Sequence, residues 1–304
     1  METINTPFGP IEIQVPELES LCVISPIEQY RLDLYNYIMN RKAQDPECEI
    51  SVTEVITVPI TIEANGKGFS PVDENHYPIV AMEVAAFNDL VYELNLSDTL
   101  DMESLSCDQS ARAKGLMSKI LMSQGKYQEA MEMAFKGAKM GDVFSLAILG
   151  VIYSEGHGIP VDKNKGKKFS LSAALYGNQH ALCNVALDIV GDKNGDLNLA
   201  KTLFERAAYQ GNLYAAHNLG VLLLESGNND KDIDSGIMWL QYSLENGYEL
   251  SATVLLKYFK YRHNLDAYKK VLEYGVKNDI TSCKIEKIFF DVKKEDESPF
   301  QWQK

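Results

Sequence analysis

The chain has 304 residues, 45% hydrophobic and 24% charged, the make-up of an ordinary globular protein long enough for two folding regions. Its formal charge of −14 lies wholly in the first third: residues 1–105 hold 19 acidic and 4 basic residues, the remainder 24 and 25, which repels nucleic acid and leaves no compensating basic stripe. No apolar run approaches the roughly 18 to 20 residues that cross a bilayer, and residues 1–5 have neither the basic nor the apolar part of a secretory leader, so no membrane association and a cytoplasmic location are expected.

In chain order, Ile11, Ile13 and Val15 alternate with polar neighbours and stop at Pro16, which predicts a short strand. Residues 26–41 predict a helix with Ile27, Tyr30, Leu34, Tyr37 and Ile38 on one face and Ser25 as its N-cap. Residues 49–62 are rich in β-branched side chains, with Pro59 marking an edge or a bend. Asn65-Gly66-Lys67-Gly68 lacks the spacing of a phosphate loop and predicts a hairpin or loop turn. After a loop at 71–77, a second helix is predicted from Pro78 to about residue 94, through Val80, Val84, Phe87, Leu90 and Val91. Strand, helix, strand, loop and helix make a small acidic α/β or α+β domain over residues 1–105, assigned to no family.

Beyond it a period sets in. Gly141, Gly177, Gly211, Gly247 and Gly275 are separated by 36, 34, 36 and 28 residues, the spacing of stacked two-helix units. Small pairs precede the first three (Gly137-Ala138, Ala173-Ala174, Ala207-Ala208), and Ser145, Ala181 and Ala215 follow four residues after. In the clearest unit Ser145, Leu149, Ile152 and Tyr153 share a helical face. Gly150, in the middle of that helix, costs roughly 1 kcal/mol relative to alanine, an expense that close approach of a neighbouring helix would offset. The turn at residues 156–162 leads to a second helix, about 164–176, capped by Asp162 or Asn164 and closed by a left-handed Gly177. Similar grammar runs through Ala113, Met117 and Leu121; Ala181, Val185 and Ile189; Ala215, Leu219 and Leu223; and, more weakly, Ser251, Leu255 and Phe259, whose second helix is predicted to be shortened to about 266–274.

The string Leu149-Gly150-x-x-Tyr153-x-x-Gly156-x-Gly158-Ile159-Pro160-x-Asp162, followed by paired alanines and a glycine, resembles the Sel-one-like repeat, a relative of the tetratricopeptide repeat; residues 111–140 are more like a plain tetratricopeptide repeat. The resemblance covers about residues 108–275, and departs from the pattern in the shortened turn at 191–195. It implies a mainly α fold, a right-handed α-solenoid of about five helical pairs over 106–292, with a charged tail at 293–304. Ile285, Ile288, Phe289 and Val292 are expected to lay an apolar stripe over the last repeat and cap it.

The resemblance also implies a protein-interaction scaffold or adaptor whose concave groove, lined by first helices, takes a peptide or protein partner. Carried over position by position, the groove-facing side chains are Arg112 and Lys119; Phe144, Ala147 and Val151; His180, Cys183 and Leu187; Tyr214, His217 and Val221; and Lys257. The sixteen tyrosines fit such a role, since a large ring with a polar tip suits a binding surface. A second reading makes the acidic domain an inhibitor or immunity-type regulator that engages a basic protein through Glu47, Glu49 and Glu54. An enzyme with an unrecognised site in residues 1–105 is the third, although no Ser/His/Asp or Cys/His set assembles. His180 and Cys183 are spaced as metal ligands but lack a third, and His157 falls in an exposed turn, so no metal and no cofactor are expected. The five cysteines are scattered, odd in number and without a CxxC pair, which predicts reduced thiols.

Overall fold

Among the described residues eleven α-helices follow one another: α1 Ala111–Ser123, α2 Tyr127–Lys139, α3 Val143–Glu155, α4 Lys163–Leu175, α5 Gln179–Gly191, α6 Leu197–Tyr209, α7 Leu213–Ser226, α8 Asp230–Glu245, α9 Leu250–Tyr261, α10 Leu265–Lys277 and α11 Thr281–Glu295. The computed structural model of the chain describes residues 1–24, 43–44, 63–64, 67–68, 111–226 and 229–295. The fold is mainly α and built of helix-turn-helix repeats, as the glycine period predicts. The chain divides into two compact units, Met1–Gln210 and Gly211–Lys304. The predicted helices at 26–41 and 78–94, the strands of 49–62 and the acidic residues Glu47, Glu49 and Glu54 lie outside the described residues.

The turns between repeats follow one rule. Gly141, Gly177, Gly211 and Gly247 all have φ between 77° and 100°, which a side chain resists, and they reverse the chain after a second helix. The amide that follows bonds back five residues: Asp142 N–H to Gly137 O (3.0 Å), Asn178 N–H to Ala173 O (3.1 Å) and Tyr248 N–H to Ser243 O (2.9 Å). The next first helix then starts on a polar cap, the Asn178 side chain accepting from His180 and Ala181 N–H and the Asp162 carboxylate capping α4 within its repeat.

Within a repeat the two helices meet at glycine. A Cβ at Gly150 would lie 3.3 Å from Gly166 O, and one at Gly166 would lie 2.9 Å from Gly150 O and 2.8 Å from Ser154 N. Residue 150 thus faces 166 and 170 while 154 faces 166, so sequence rises on α3 as it falls on α4 and the pair is antiparallel. The second unit repeats the arrangement seventy residues on, with Gly220 of α7 against Gly236 of α8. This close approach is what offsets the cost of glycine inside α3 and α7.

Three expectations about the last repeat are corrected. Gly275 is not a repeat turn: it lies inside α10, which runs a full 13 residues to Lys277 rather than stopping near 274. Ile280 N–H bonds to Gly275 O (2.8 Å), so Gly275 corresponds to Gly137 and Ala173, four residues earlier in the repeat, and the left-handed residue is Asp279 with φ 65°. Small residues at both places are needed because the next first helix presses there, Ser145 on Gly137 and Cys283 on Gly275. The capping stripe is also out of phase. Cys283 and Phe290 are the buried face of α11, packed with Ile280 and Tyr268, while Ile285, Ile288 (64% exposed) and Phe289 (61%) point to solvent. Changing Ile288 and Phe289 together to serine is therefore expected to shift stability by no more than about 0.5 kcal/mol, against about 3 kcal/mol for Phe290→Ala. Thermal melting of the two variants separates these outcomes.

The amino-terminal segment belongs with the first helices. β1 (Glu2–Thr6) and β2 (Gly9–Ile13) pair antiparallel with Ile4 opposite Ile11. Only the second strand is legible in sequence. Ile4, Ile11 and Ile13 are buried, and a short 3₁₀ turn, Leu18–Cys22, buries Leu21. The segment touches all three second helices of its unit: Phe8 packs on Phe135 of α2 (5.9 Å), Lys168 of α4 pairs with Glu2 (2.6 Å), and buried Arg206 of α6 donates to Leu21 O. Farther along, β3 (Glu63–Ala64) pairs antiparallel with β4 (Lys67–Gly68), the hairpin predicted at Asn65-Gly66.

Candidate functional site

In the first unit, first helices of successive repeats touch directly, α1 on α3 and α3 on α5. Phe144 sits just inside the N-terminus of α3, and its ring gathers side chains from both neighbours. The Arg112 guanidinium carbon lies 4.0 Å from the ring centroid, the Lys119 ammonium 5.9 Å, and the His180 ring 6.1 Å. Three of the predicted groove residues thus converge on the ring of a fourth, and Lys119 and His180 are exposed there. Val151 and Leu187, both half-buried, stand two turns farther along α3 and α5.

Arg112 and Phe144 depart from expectation in being buried rather than presented. The Arg112 guanidinium is 7% exposed and 3.7 Å from the Asp142 carboxylate, which also caps α3 by accepting from the Ser145 N–H (2.7 Å) and hydroxyl. Ala147 and Cys183, carried over from the family pattern, are buried too. Burial pushes the Cys183 thiol up to about 12, so it stays protonated and inert. Asp142 was not singled out in sequence; its place directly after the turn glycine Gly141, where a first helix needs a cap, is the signal that finds it.

The second unit carries a separate aromatic cluster. Tyr214 of α7 is 44% exposed and lies 5.8 Å from Tyr248, which lies 5.0 Å from the His217 ring. His217 Nδ1 is 2.9 Å from the hydroxyl of Ser251, a buried residue at the start of α9. Burial lowers the His217 pKa, so the imidazole is neutral at pH 7. Val221 is half-buried one turn beyond His217, and Lys257 is exposed on α9 six residues after Ser251. Tyr248 escaped notice in sequence because it lies in a turn, outside any helical period, although every repeat turn places a residue there directly after its glycine.

Other features marked in sequence have structural roles. His157 stacks on Tyr127 (4.9 Å) and pairs with Glu155 (2.6 Å), and Gln128 donates to Gly158 O (2.7 Å), so the turn after α3 is fastened to α2 rather than simply exposed. Among the described residues no three His, Cys, Asp or Glu side chains are placed to hold a metal ion, and no helix is long and apolar enough to cross a membrane.

Comparison with known proteins agrees on the repeat. The family model of the Sel1 repeat matches residues 143–178, 181–212 and 213–248, about a third of the chain. A search of curated proteins finds no match. Among solved structures, a Sel1 repeat protein from Oxalobacter formigenes is 19% identical over 53% of this chain and 70% of that one, with a TM-score of 0.44. The protein c5321, described as a protective antigen of uropathogenic Escherichia coli with an SLR fold, is 20% identical over 60% of this chain, also at 0.44. The match spans 44% of that second protein's length. The matched segments span α3 to α8, so residues 143–248 of this chain are similar to three consecutive Sel1 repeats.

Proposed function

We propose that the chain is a protein-interaction scaffold that receives a peptide or protein partner on its first-helix faces. Sel1 repeat proteins generally serve as such scaffolds. The observation that carries the reading is which side the amino-terminal segment takes: in the first unit residues 2–22 pack on the second helices, while Lys119 and His180 stand exposed around Phe144 on the first. The Tyr214, His217 and Tyr248 cluster supplies the same kind of surface in the second unit, aromatic with a polar rim. An aromatic and apolar contact resists salt, whereas a contact to exposed charges is screened over about 8 to 10 Å at physiological ionic strength.

Affinity purification with the full-length chain as bait tests this. Tyr214→Ala with His217→Ala, and separately Lys119→Ala with His180→Ala, are expected to cut recovery of the captured partner at least tenfold at 0.3 M salt, the second pair without a change in melting. Undiminished recovery with both pairs removes the first-helix faces from the mechanism. The acidic sequence of residues 1–105, net −15, motivates a second, separable proposal, contact with a basic protein through Glu47, Glu49 and Glu54. Reversing those three charges should abolish a salt-sensitive interaction and leave the salt-resistant one in place.

A further inference from the structure

A cleft of about 250 Å³ opens in the first unit between α5 and the 3₁₀ turn of the amino-terminal segment, which packs on α4 and α6. Residues 192–196 join α5 to α6 here, a shorter connection than the stretch 156–162 between α3 and α4, and part of that turn lines the cleft. Leu18, from the amino-terminal segment, closes the cleft from the other side, and its apolar floor is completed by Val185, Ile189 and Leu199. Above that floor stand four carboxylates, Glu19, Asp188, Asp192 and Asp196, against a single lysine, Lys167.

Backbone hydrogen bonds fix two of these carboxylates in place. Asp192 accepts from Asn194 N–H (3.0 Å), and Asp196 accepts from Asn198 (2.9 Å) and Leu199 (3.3 Å) N–H. Neutral N–H donors orient a carboxylate without discharging it. Partial loss of solvent raises the Asp188 pKa against the pull of Lys167 and Lys163. The cleft is smaller than the roughly 300–1,000 Å³ of drug-sized ligand pockets. One long side chain fits: an apolar stem along the floor and a cationic head among the carboxylates. A guanidinium suits better than an ammonium, being more weakly hydrated and able to bridge two carboxylates at once.

We infer that this cleft is a binding site for an arginine side chain presented by a partner protein, with Leu18, Val185, Ile189 and Leu199 against the methylenes and Glu19, Asp188, Asp192 and Asp196 around the guanidinium. The site uses the C-terminal part of α5, the turn after it and the amino-terminal segment, none of them residues of the proposed groove, and does not rest on the first-helix reading. Its test is isothermal titration of the full-length chain, at low ionic strength, with a blocked Gly-Gly-Arg-Gly-Gly peptide and with the same peptide carrying leucine. Saturable binding of the arginine peptide is expected, at least fivefold weaker in Asp188→Asn/Asp192→Asn, which keeps side-chain shape and the turn hydrogen bond. Glu19→Gln, on the amino-terminal segment, is expected to weaken binding about twofold and serves if the double variant fails to fold. Equal binding of the leucine peptide, undiminished binding by the carboxamide variants, or a response to calcium chloride alone would each overturn the assignment.

Discussion

Leu21→Ala is expected to destabilise the first unit by about 3 kcal/mol, the ordinary cost of emptying a fully enclosed leucine site. Leu21 is 1% exposed, although it lies in a five-residue 3₁₀ turn of the kind that is normally dispensable. Its neighbour Cys22 is exposed, so Cys22→Ser should stay within about 0.5 kcal/mol and controls for local disturbance of the turn. Ile4→Ala should resemble Leu21→Ala, because Ile4 is buried on the same segment. Urea denaturation followed by amide exchange in α2, α4 and α6 reads the effect where the segment packs. If Leu21→Ala melts like Cys22→Ser, residues 1–24 are an appendage and not part of the core.

Gly220→Leu carries the second large effect. Leucine is a better helix former than glycine by roughly 0.5 to 1 kcal/mol, so intrinsic propensity alone predicts stabilisation. Packing decides the sign. A Cβ at position 220 would stand 2.5 Å from Leu240 Cγ and 2.8 Å from Gly236 O, and the second of these is backbone that cannot turn aside. Overpacking of this kind costs about 1 to 3 kcal/mol and occasionally more, and we expect a net loss near 3 kcal/mol. Gly191→Ala is the counterpart: nothing lies within 4 Å of its Cβ position, so the same exchange of glycine for a better helix former should raise stability by about 0.5 kcal/mol. Melting temperatures moving in opposite directions establish the glycine crossing; two shifts of the same sign contradict it.

The repeat was legible because it is written locally. Turn glycines, small residues on either side of them and polar caps all act within eight residues of one another, so the phase of α1 to α8 follows from spacing. The phase slipped at the end for a physical reason. Gly275 meets the demand for a small residue against Cys283, while the left-handed turn falls to Asp279, a residue that tolerates that conformation without advertising it. The apolar spacing of Ile285, Ile288 and Phe289 reads as a core face, but Cys283 and Phe290 occupy it. The candidate site was legible only as positions on helix faces. That Arg112 is buried beside Asp142 could not be read from spacing, because an arginine on a helix face reads as surface until a capping carboxylate is found next to it. Packing of residues 1–24 on α2, α4 and α6 was the least visible of all, since no periodicity links a residue to a partner more than a hundred positions away.

The distance between Leu21 and Arg206, 185 residues, also sets an order of events at the ribosome. At about 5 to 20 residues per second, the hairpin leaves the exit tunnel about 10 to 40 seconds before the helix that completes its shelter. Helix–coil relaxation takes about a microsecond or less and β-hairpin formation about 1 to 10 microseconds, so local structure is ready long before its burial is possible. Until α2, α4 and α6 have followed in turn, Ile4, Ile11, Ile13 and Leu21 lack part of the packing that later encloses them. Slowing translation between residues 25 and 206 is expected to lengthen in proportion the time for which these side chains depend on chaperones that bind hydrophobic segments.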